Sequence, residues 1–379
     1  MISPKLFYEF LKKQGISFFA GVPDSLLKEF CAYVEAVTPI SSHVIAANEG
    51  TAIGIATGHY LATGNLPMVY FQNSGLGNTI NPLLSLADKE VYSIPLILLI
   101  GWRGEPGLKD EPQHIKQGRV TPDILNSIDI PFKIITEDFI KSSLNVQWAI
   151  EKALKTNSPV ALLVKKGVFN KSEQTQVIID TQENNLISRE NAISTITENL
   201  SKESIIVSTT GMISRELYEQ RSKKKQDRST DFLTVGSMGH ASQIALGICK
   251  SNPTKQIVCL DGDGAALMHL GGMATIGTNL EGNLLHIVLN NGAHDSVGGQ
   301  PTVANKISLT SIAKACCYEK VFGPIIKKDQ IISLIKKLNQ EKGMRFIEIR
   351  VKKGARSDLG RPKETPLQNK DIFISNLRN

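Results

Sequence analysis

Short apolar runs, each ended by Gly, Asn or charged residues, recur along the chain and predict strands of parallel sheets. Clear examples are residues 94–100, 159–165, 257–260 and 284–289. Runs of this length without polar alternation are typical of strands that are buried on both faces. Amphipathic or small-residue stretches, such as 51–63, lie between them and predict helices. The alternation predicts an α/β fold of mostly parallel sheets flanked by helices.

The strand and helix patterns form two groups of comparable size, which predicts two domains. We expect one domain over residues 1–170 and the other over residues 188–379. The polar residues 171–187, ending in an Asp/Gln/Glu/Asn cluster, are typical of an interdomain linker. A chain of 379 residues is long enough to bury the cores of two such domains.

The composition indicates an ordinary globular protein with an anionic ligand. Hydrophobic residues make up 41% and charged residues 21% of the chain, and the formal net charge is +7. No basic stripe with interleaved aromatic residues accompanies this charge, so an anionic cofactor and substrate explain it at least as well as nucleic acid, and we expect no nucleic-acid partner. The apolar runs are too short to span a bilayer, and the first 20 residues lack a signal-peptide pattern. We therefore expect a cytoplasmic protein without a membrane partner.

Polar residues follow two of the predicted strands at the points where those strands end. Asp263, Gly264 and Ala265 follow the first, and Asn291 and Ala293 follow the second. Neighbouring parallel strands end at one edge of a sheet, where ligands collect. A carboxylate, an amide oxygen and a backbone carbonyl suit Mg²⁺. A glycine lets a diphosphate approach the backbone, and a helix beginning near Ala265 would direct its N–H groups at it.

The Gly-Asp-Gly sequence alone is equally typical of an ordinary turn. Its pairing with Asn-Asn is more specific, because 25 residues separate Gly264 from Asn290 and both motifs follow strands. In this pairing the chain resembles the thiamine-diphosphate-dependent enzymes. The resemblance implies thiamine diphosphate and Mg²⁺ as cofactors. It also implies that Asp263, Asn291 and the carbonyl of Ala293 hold the metal.

Four further positions are candidates for cofactor contacts. Glu49, near a helix start, could serve only the helix dipole, but the resemblance implies a hydrogen bond to the aminopyrimidine ring that activates the cofactor. Met238 would ordinarily fill a core; the resemblance implies that it supports the cofactor from beneath, with the Gly236 carbonyl contacting the pyrimidine. Thr210 follows a predicted strand and fits a diphosphate contact or an ordinary turn equally well.

Asp24 and Ser25 open a predicted helix, where such a pair is usually a cap. The resemblance to the decarboxylase branch implies instead that Asp24 faces the reacting carbon from a neighbouring subunit. We therefore expect a homo-oligomer whose active sites lie at the subunit interface. The first domain would bind the pyrimidine and the second the diphosphate.

Residues 101–118 form a predicted polar loop that is too long for a simple connection, and length of this kind usually reflects function. Arg103, Lys109 and His114 supply anion-binding and proton-transfer groups. The resemblance places catalytic histidines in this region, and His114 is the candidate. The sequence of this loop resembles that of decarboxylases whose 2-oxo acid substrates carry a second acidic group. That group is a phosphonate or, alternatively, a sulfonate.

Two later segments are candidates for the substrate pocket. Asp295, Ser296 and Gln300 lie in a polar loop after the metal motif and could receive a second anionic group. Val297 occupies a position where the pyruvate decarboxylase pattern carries a Glu, so that proton relay is not expected here. Residues 354–362 are basic and Gly-rich, which fits either a flexible end or a lid.

The resemblance implies an enzyme that decarboxylates a 2-oxo acid. A thiamine-diphosphate-dependent carboligase or oxidoreductase subunit would share every cofactor residue. A non-enzymatic nucleotide-binding protein would keep the Gly-rich turn without needing Glu49. Both alternatives stay open at the level of the sequence.

Overall fold

The structure is a computed structural model that describes residues 1–171, 185–279 and 282–377. The described residues form two compact units, one within residues 1–177 and the other within residues 178–379. Most of the predicted linker, 171–187, lies outside the described residues. Within the described ranges no helix is both long and apolar enough to cross a bilayer.

Unit 1 is built on a six-stranded parallel sheet with the order β2-β1-β3-β4-β6-β5. Its strands are β1 (Phe19–Gly21), β2 (His43–Ile45), β3 (Met68–Gln72), β4 (Ile97–Gly101), β5 (Phe132–Ile135) and β6 (Val160–Val164). Its helices are α1 (Pro4–Lys13), α2 (Lys28–Val37), α3 (Glu49–Thr63), α4 (Leu76–Pro82), α5 (Pro112–Ser127) and α6 (Phe139–Thr156).

Unit 2 repeats this architecture with the strand order β11-β12-β10-β9-β7-β8, again parallel throughout. Its strands are β7 (Ile205–Ser208), β8 (Asp231–Leu233), β9 (Ile257–Gly262), β10 (Asn283–Asn290), β11 (Lys320–Ile325) and β12 (Gly343–Arg350). Its helices are α7 (Arg189–Asn199), α8 (Met212–Lys223), α9 (Ala241–Ser251), α10 (Asp263–Met268), α11 (Gly271–Gly277), α12 (Leu309–Ala315), α13 (Lys328–Leu338) and α14 (Pro366–Leu377).

The central strands are apolar on both faces, as the sequence pattern predicted. In β3, Met68 and Tyr70 join one core while Val69 and Phe71 join the core on the opposite face. Successive side chains of a strand point to opposite faces, so helices must cover both sides of this sheet. The predicted fold class, two α/β domains with parallel sheets, is confirmed.

Two predicted boundaries near the candidate site are wrong, and proline accounts for both. The strand predicted over 94–100 begins at Ile97, because Pro95 has no N–H to pair with a neighbouring strand. The polar loop predicted over 101–118 ends early, since α5 begins at Pro112. Proline suits the first position of a helix, where its fixed φ is helical and no N–H is needed. His114 therefore lies on the first turn of a helix.

The core of unit 1 should be sensitive to truncation. Leu162 on β6 is fully buried, whereas Leu154 on α6 is 50% exposed. Leu162→Ala should lower the free energy of unfolding by about 2–5 kcal/mol because it leaves a cavity. Leu154→Ala, the matched control, should change it by less than about 1 kcal/mol. Both tryptophans, Trp102 and Trp148, lie in unit 1, so tryptophan fluorescence during urea unfolding reports on this unit. Equal midpoints for the two variants would contradict the assigned core.

Candidate active site

Asp24 lies just after β1, at the carboxyl edge of the first sheet, and its side chain is fully buried. One carboxylate oxygen accepts the N–H groups of Leu26 and Leu27, each at 3.2 Å. The other accepts Nε2 of Gln72, at the end of β3, at 2.7 Å. Burial raises the pKa of Asp24 to about 6, against the lowering effect of these backbone N–H groups and of Arg103. Asp24 can therefore exchange a proton near neutral pH.

The Asp24 carboxyl has room at this edge of the sheet because residue 101, which lies opposite it, has no side chain. Gly101, the last residue of β4, lies so close that any Cβ there would collide with the Asp24 carboxyl. A glycine at this strand end is thus required by the approach of the carboxylate.

Arg103 follows β4 and brings a guanidinium group to the same edge. Asp110 pairs with Arg103 through both carboxylate oxygens, with Nε at 2.8 Å from Oδ2. Arg103 Nη1 donates to Ser25 Oγ at 2.9 Å. Residues 25 and 103 are far apart in sequence, and the parallel sheet brings them together. Asp110 fixes the plane of the guanidinium, which suits recognition of a planar or tetrahedral anion.

His114 is 9% exposed and lies near this cluster, whereas Lys109 is exposed. Burial, together with the charge of Arg103, lowers the pKa of His114 to about 4, so the imidazole is neutral at pH 7. Among the described residues, its Nδ1 atom has no hydrogen-bond partner. A buried polar atom without a partner calls for an explanation, and a bound ligand is one.

Glu49 is the first residue of α3 and is 5% exposed. The helix begins there because the side chain of Asn48 accepts the N–H of Gly50 at 2.8 Å. Asn78 Nδ2 donates to the Glu49 carboxylate at 2.7 Å. Gly75 lies against this carboxylate, and a Cβ at that position would overlap it. Burial raises the pKa of Glu49 despite the Asn78 hydrogen bond, which favours a carboxyl that shares a proton with a ligand.

Asp263 and Asn291 lie next to each other at the carboxyl edge of the second sheet. Residue 262 of β9 is paired with residue 289 of β10. The polar residues that follow the two strands therefore lie side by side at this edge. Asp263 is 2% exposed; Thr302 Oγ1 and the backbone N–H of Asn291 donate to its carboxylate. Burial raises the pKa of Asp263 to about 6, although these hydrogen bonds lower it. Among the described residues no Lys or Arg pairs with it within 4.0 Å.

These residues fit a divalent cation. A buried carboxylate without a cationic partner is costly, and a hard cation such as Mg²⁺ would offset that cost. The amide oxygen of Asn291 and the carbonyl of Ala293 lie on the adjacent turn and are ligands of the same type. Asn291 Oδ1 accepts the N–H of Ala293 at 3.1 Å, and both residues are 7% exposed.

Of the predicted cofactor contacts, Met238 lies beside Gly264, the residue that follows this carboxylate. The Cβ that a side chain at Gly264 would carry would lie 3.1 Å from the imidazole of His294 and 3.4 Å from Cε of Met238. Gly264 thus keeps space open between these two side chains. Ala265 belongs to α10, which begins at Asp263, two residues earlier than predicted. Thr210 and Gly236 lie in loops after β7 and β8 respectively, and both are partly exposed.

The three predicted substrate residues after the metal motif each have different neighbours in the structure. Ser296 lies beside Gly211, whose Cβ would be 3.7 Å from the serine side chain. Gln300 is 3% exposed, and its carbonyl accepts the N–H of His294 at 2.8 Å. Asp295 contacts Asn291 at 2.6 Å through its carboxylate. All three stay predictions as substrate contacts.

Residues 354–362 pack against other residues of unit 2. The backbone N–H of Gly354 donates to Asp295 at 3.0 Å, and Leu359 is 6% exposed. The guanidinium of Arg356 pairs with Glu190 at 2.8 Å and also with Glu219. The segment is therefore packed along α7 and α8, and Arg356 is committed to carboxylates of unit 2.

A separate buried cluster stabilises the strands behind the metal motif. Cys259, Asp261 and His286 lie together, fully buried, on one face of β9 and β10. His286 Nε2 is 3.3 Å from Asp261, and Nδ1 is 2.9 Å from the hydroxyl of Tyr318. Since both ring nitrogens have partners, we interpret this as a hydrogen-bond network that fastens β9 to β10.

The sequence analysis missed the residues that orient the candidate groups. They are the donors to buried carboxylates, Gln72, Asn78 and Thr302, and the partners of Arg103 and Asp295, namely Asp110 and Arg189. For Gln72 and Asn78 a signal existed, since both belong to the amide-rich stretch 72–78 that begins at the end of β3. For Arg189 there was none, because 106 residues separate it from Asp295.

Comparison with known proteins identifies the relatives of both units. A family model described as the N-terminal TPP binding domain of thiamine pyrophosphate enzymes matches residues 4–125. The model of the corresponding C-terminal TPP binding domain matches residues 209–349. Curated relatives match along nearly the whole chain. Phosphonopyruvate decarboxylase of Streptomyces viridochromogenes is 35% identical, over 93% of this chain and 89% of that protein.

Two further relatives are similarly extensive. Phosphonopyruvate decarboxylase of Streptomyces hygroscopicus is 34% identical, over 93% of this chain and 88% of that protein. Sulfopyruvate decarboxylase of Methanosarcina acetivorans is 31% identical, over 91% of this chain and 90% of that protein.

The raised pKa of Asp24 predicts a specific pH dependence of stability. Its ordinary value is 3.8 and its value here is about 6, so the folded state disfavours the ionised form. The contribution of this group to stability is complete below pH 3.8 and is lost as the pH rises to about 6. Asp24→Asn should therefore remove a fall in the free energy of unfolding of unit 1 between these pH values, measured by urea unfolding with tryptophan fluorescence.

Asp110→Asn is the control for this experiment. Burial favours a higher pKa at Asp110, but hydrogen bonds from Arg103, Glu111 N–H and Gly104 N–H bring that pKa below its ordinary value. Stability from Asp110 is lost only at lower pH, so this variant should keep the fall. If the free energy of unfolding changed with pH equally in wild type and in Asp24→Asn, the assignment of a buried environment to Asp24 would be wrong.

Proposed function

The chain belongs to the family of thiamine pyrophosphate enzymes, and we propose that it decarboxylates 3-phosphonopyruvate to phosphonoacetaldehyde and carbon dioxide. The observation that carries this proposal is the similarity, over nearly the whole chain, to curated phosphonopyruvate decarboxylases. Sulfopyruvate, which differs in its second anionic group, is the alternative substrate, since a sulfopyruvate decarboxylase is related at somewhat lower identity.

The cofactor of this reaction would be held by residues of both units. Thiamine diphosphate, when bound, supplies a thiazolium ring that accepts the electron pair released when carbon dioxide leaves. Asp263, Asn291 and the Ala293 carbonyl would bind Mg²⁺, which in turn binds the diphosphate. Gly264 and the N–H groups at the start of α10 would lie against the phosphates, because a missing Cβ allows close approach.

Glu49 would hold a proton at its carboxyl toward the pyrimidine. The raised pKa of Glu49 favours this proton, and Asn78 fixes the carboxyl by donating to its other side. Met238, beside Gly264, would support the cofactor, with the Gly236 carbonyl and Thr210 as further contacts. The assignment of Glu49 rests on the resemblance of its motif and on its burial. Those of Met238, Gly236 and Thr210 rest on the resemblance and on their positions after strands of unit 2.

Residues of the first sheet edge would handle the substrate. Arg103, oriented by Asp110, would bind an anionic group of the 2-oxo acid, with Ser25 beside it. Neutral His114 would donate or accept a hydrogen bond without adding charge. Asp24, whose pKa is about 6, would hold and release the proton needed when the product carbon is protonated. Lys109, Ser296 and Gln300 are further candidates for contact with the second anionic group.

We propose that these two sets of residues meet between subunits of a homo-oligomer. The first unit of one chain would supply Glu49 and Asp24, and the second unit of another chain would supply the metal site. A monomer would then be inactive, which size-exclusion chromatography with parallel activity measurement would detect.

The test of the function is carbon dioxide release from three substrates, phosphonopyruvate, sulfopyruvate and pyruvate. We expect kcat/KM for phosphonopyruvate to exceed that for the other two by at least about tenfold, a difference of about 1.4 kcal/mol in transition-state binding. Activity should require both thiamine diphosphate and Mg²⁺. Faster turnover of sulfopyruvate would favour the alternative substrate, and condensation products in place of the aldehyde would indicate a carboligase.

The contact between Gly75 and Glu49 gives a second prediction. Gly75→Ala should displace the Glu49 carboxyl and lower kcat by about 100-fold, since displacements near 1 Å can have effects of that size. Gly77→Ala is the matched control, because a Cβ at Gly77 meets no described atom within 4 Å. Circular dichroism would show that both variants fold. Equal kcat values for the two variants would contradict the proposed role of Glu49.

A further inference from the structure

Asp295 lies four residues after Asn291, and one oxygen of its carboxylate accepts three hydrogen bonds. The donors are Nη1 of Arg189 at 2.6 Å, Nδ2 of Asn291 at 2.6 Å and the N–H of Gly354 at 3.0 Å. The Asp295 side chain is 9% exposed. A carboxylate this enclosed, with three donors directed at it, has a fixed position.

The contact with Asp295 fixes which way the amide of Asn291 points. An ionised carboxylate is acceptor-only, so only the NH₂ side of the amide can face it. The amide oxygen of Asn291 must then point away from Asp295, toward the turn that contains Ala293, whose N–H it contacts at 3.1 Å. The oxygen, and not the nitrogen, is the atom that a hard cation binds.

Arg189 in turn holds Asp295, and Glu216 pairs with Arg189. The guanidinium of Arg189 pairs with both oxygens of Glu216, at 2.8 Å and 3.0 Å, through atoms other than Nη1. Arg189 and Glu216 have side chains only 5% and 3% exposed. The three residues come from α7, from α8 and from the loop after β10.

We propose that Asp295 is a positioning residue that sets the orientation of the metal ligand Asn291, and that Arg189 holds Asp295 in place. The inference rests on the proposed function, because that function assigns the metal to Asn291. It gives Asp295 a role that does not require contact with the substrate. Partners that orient metal ligands typically change metal affinity by about 10–100-fold when removed.

The test measures metal binding directly. Full-length apoenzyme with saturating thiamine diphosphate is titrated with Mn²⁺, and free Mn²⁺ is followed by electron paramagnetic resonance. Asp295→Asn should raise the Kd for Mn²⁺ by about 10–100-fold. The amide introduced at position 295 can turn either its oxygen or its NH₂ group toward Asn291. The orientation of the Asn291 amide is then no longer specified.

Glu216→Gln is the matched control. It removes the same charge from the same network and contacts Arg189, but it has no contact with Asn291. Both variants should lose thermal stability, because each weakens the pairing with Arg189. Only Asp295→Asn should lose Mn²⁺ affinity, and the Kd of Glu216→Gln should stay within about threefold of wild type. Equal losses of affinity would mean that the network is only structural and would overturn the proposal.

Three further outcomes are informative. If circular dichroism shows that Asp295→Asn is unfolded, Asp295→Glu replaces it, since this variant keeps the charge for Arg189 but moves the acceptor by one methylene. A wild-type Kd in that variant would overturn the proposal. If wild-type enzyme showed no Mn²⁺ binding that depends on thiamine diphosphate, the proposed metal site itself would fail. Normal binding by wild type and by Asp295→Asn alike would overturn the positioning role alone.

Discussion

The parallel pairing of β9 with β10 is the constraint on which the candidate site depends. Residues 257–262 pair with 284–289 without a shift in register, so the two strands end within one residue of the same level. Asp263 and Asn291 follow these ends directly, so both residues lie at the carboxyl edge of the sheet. Behind them, the Asp261–His286–Tyr318 network joins the two strands on one face of the sheet. The distance between the two polar residues is thus set by the backbone hydrogen bonds that pair β9 with β10.

In both units, burial and a hydrogen bond from an uncharged side chain set the pKa and the orientation of a carboxylate. Asp24, Glu49 and Asp263 lie at or after strand ends, are nearly excluded from solvent, and have raised pKa values because of that burial. In each case one uncharged side chain donates a hydrogen bond that fixes the carboxylate: Gln72, Asn78 and Thr302 respectively. Burial makes protonation or cation binding favourable, and the donor determines the direction in which the carboxylate acts. A salt bridge would have fixed the charge and removed this freedom.

The strands and the groups at their ends could be predicted from the sequence because both are local features. Apolar runs identify buried strands, and a short motif at a strand end identifies the residues at the sheet edge. The partners of those groups could not be predicted in this way. Asn78 meets Glu49 across 29 residues, and Arg189 meets Asp295 across 106 residues, so only the folded chain brings them together. The start of α5 at Pro112 was missed although the signal was present, because the length of the polar segment favoured a loop.

The central claim is that the buried carboxylate of Asp263 binds a divalent ion that in turn holds the diphosphate of the coenzyme. Isothermal titration of Asp263→Ala apoenzyme with thiamine diphosphate, with and without Mg²⁺, tests this claim most directly. The account predicts that wild-type protein binds the coenzyme far more tightly when Mg²⁺ is present, and that this enhancement disappears in the variant. Coenzyme uptake by Asp263→Ala with an undiminished Mg²⁺ dependence would contradict it.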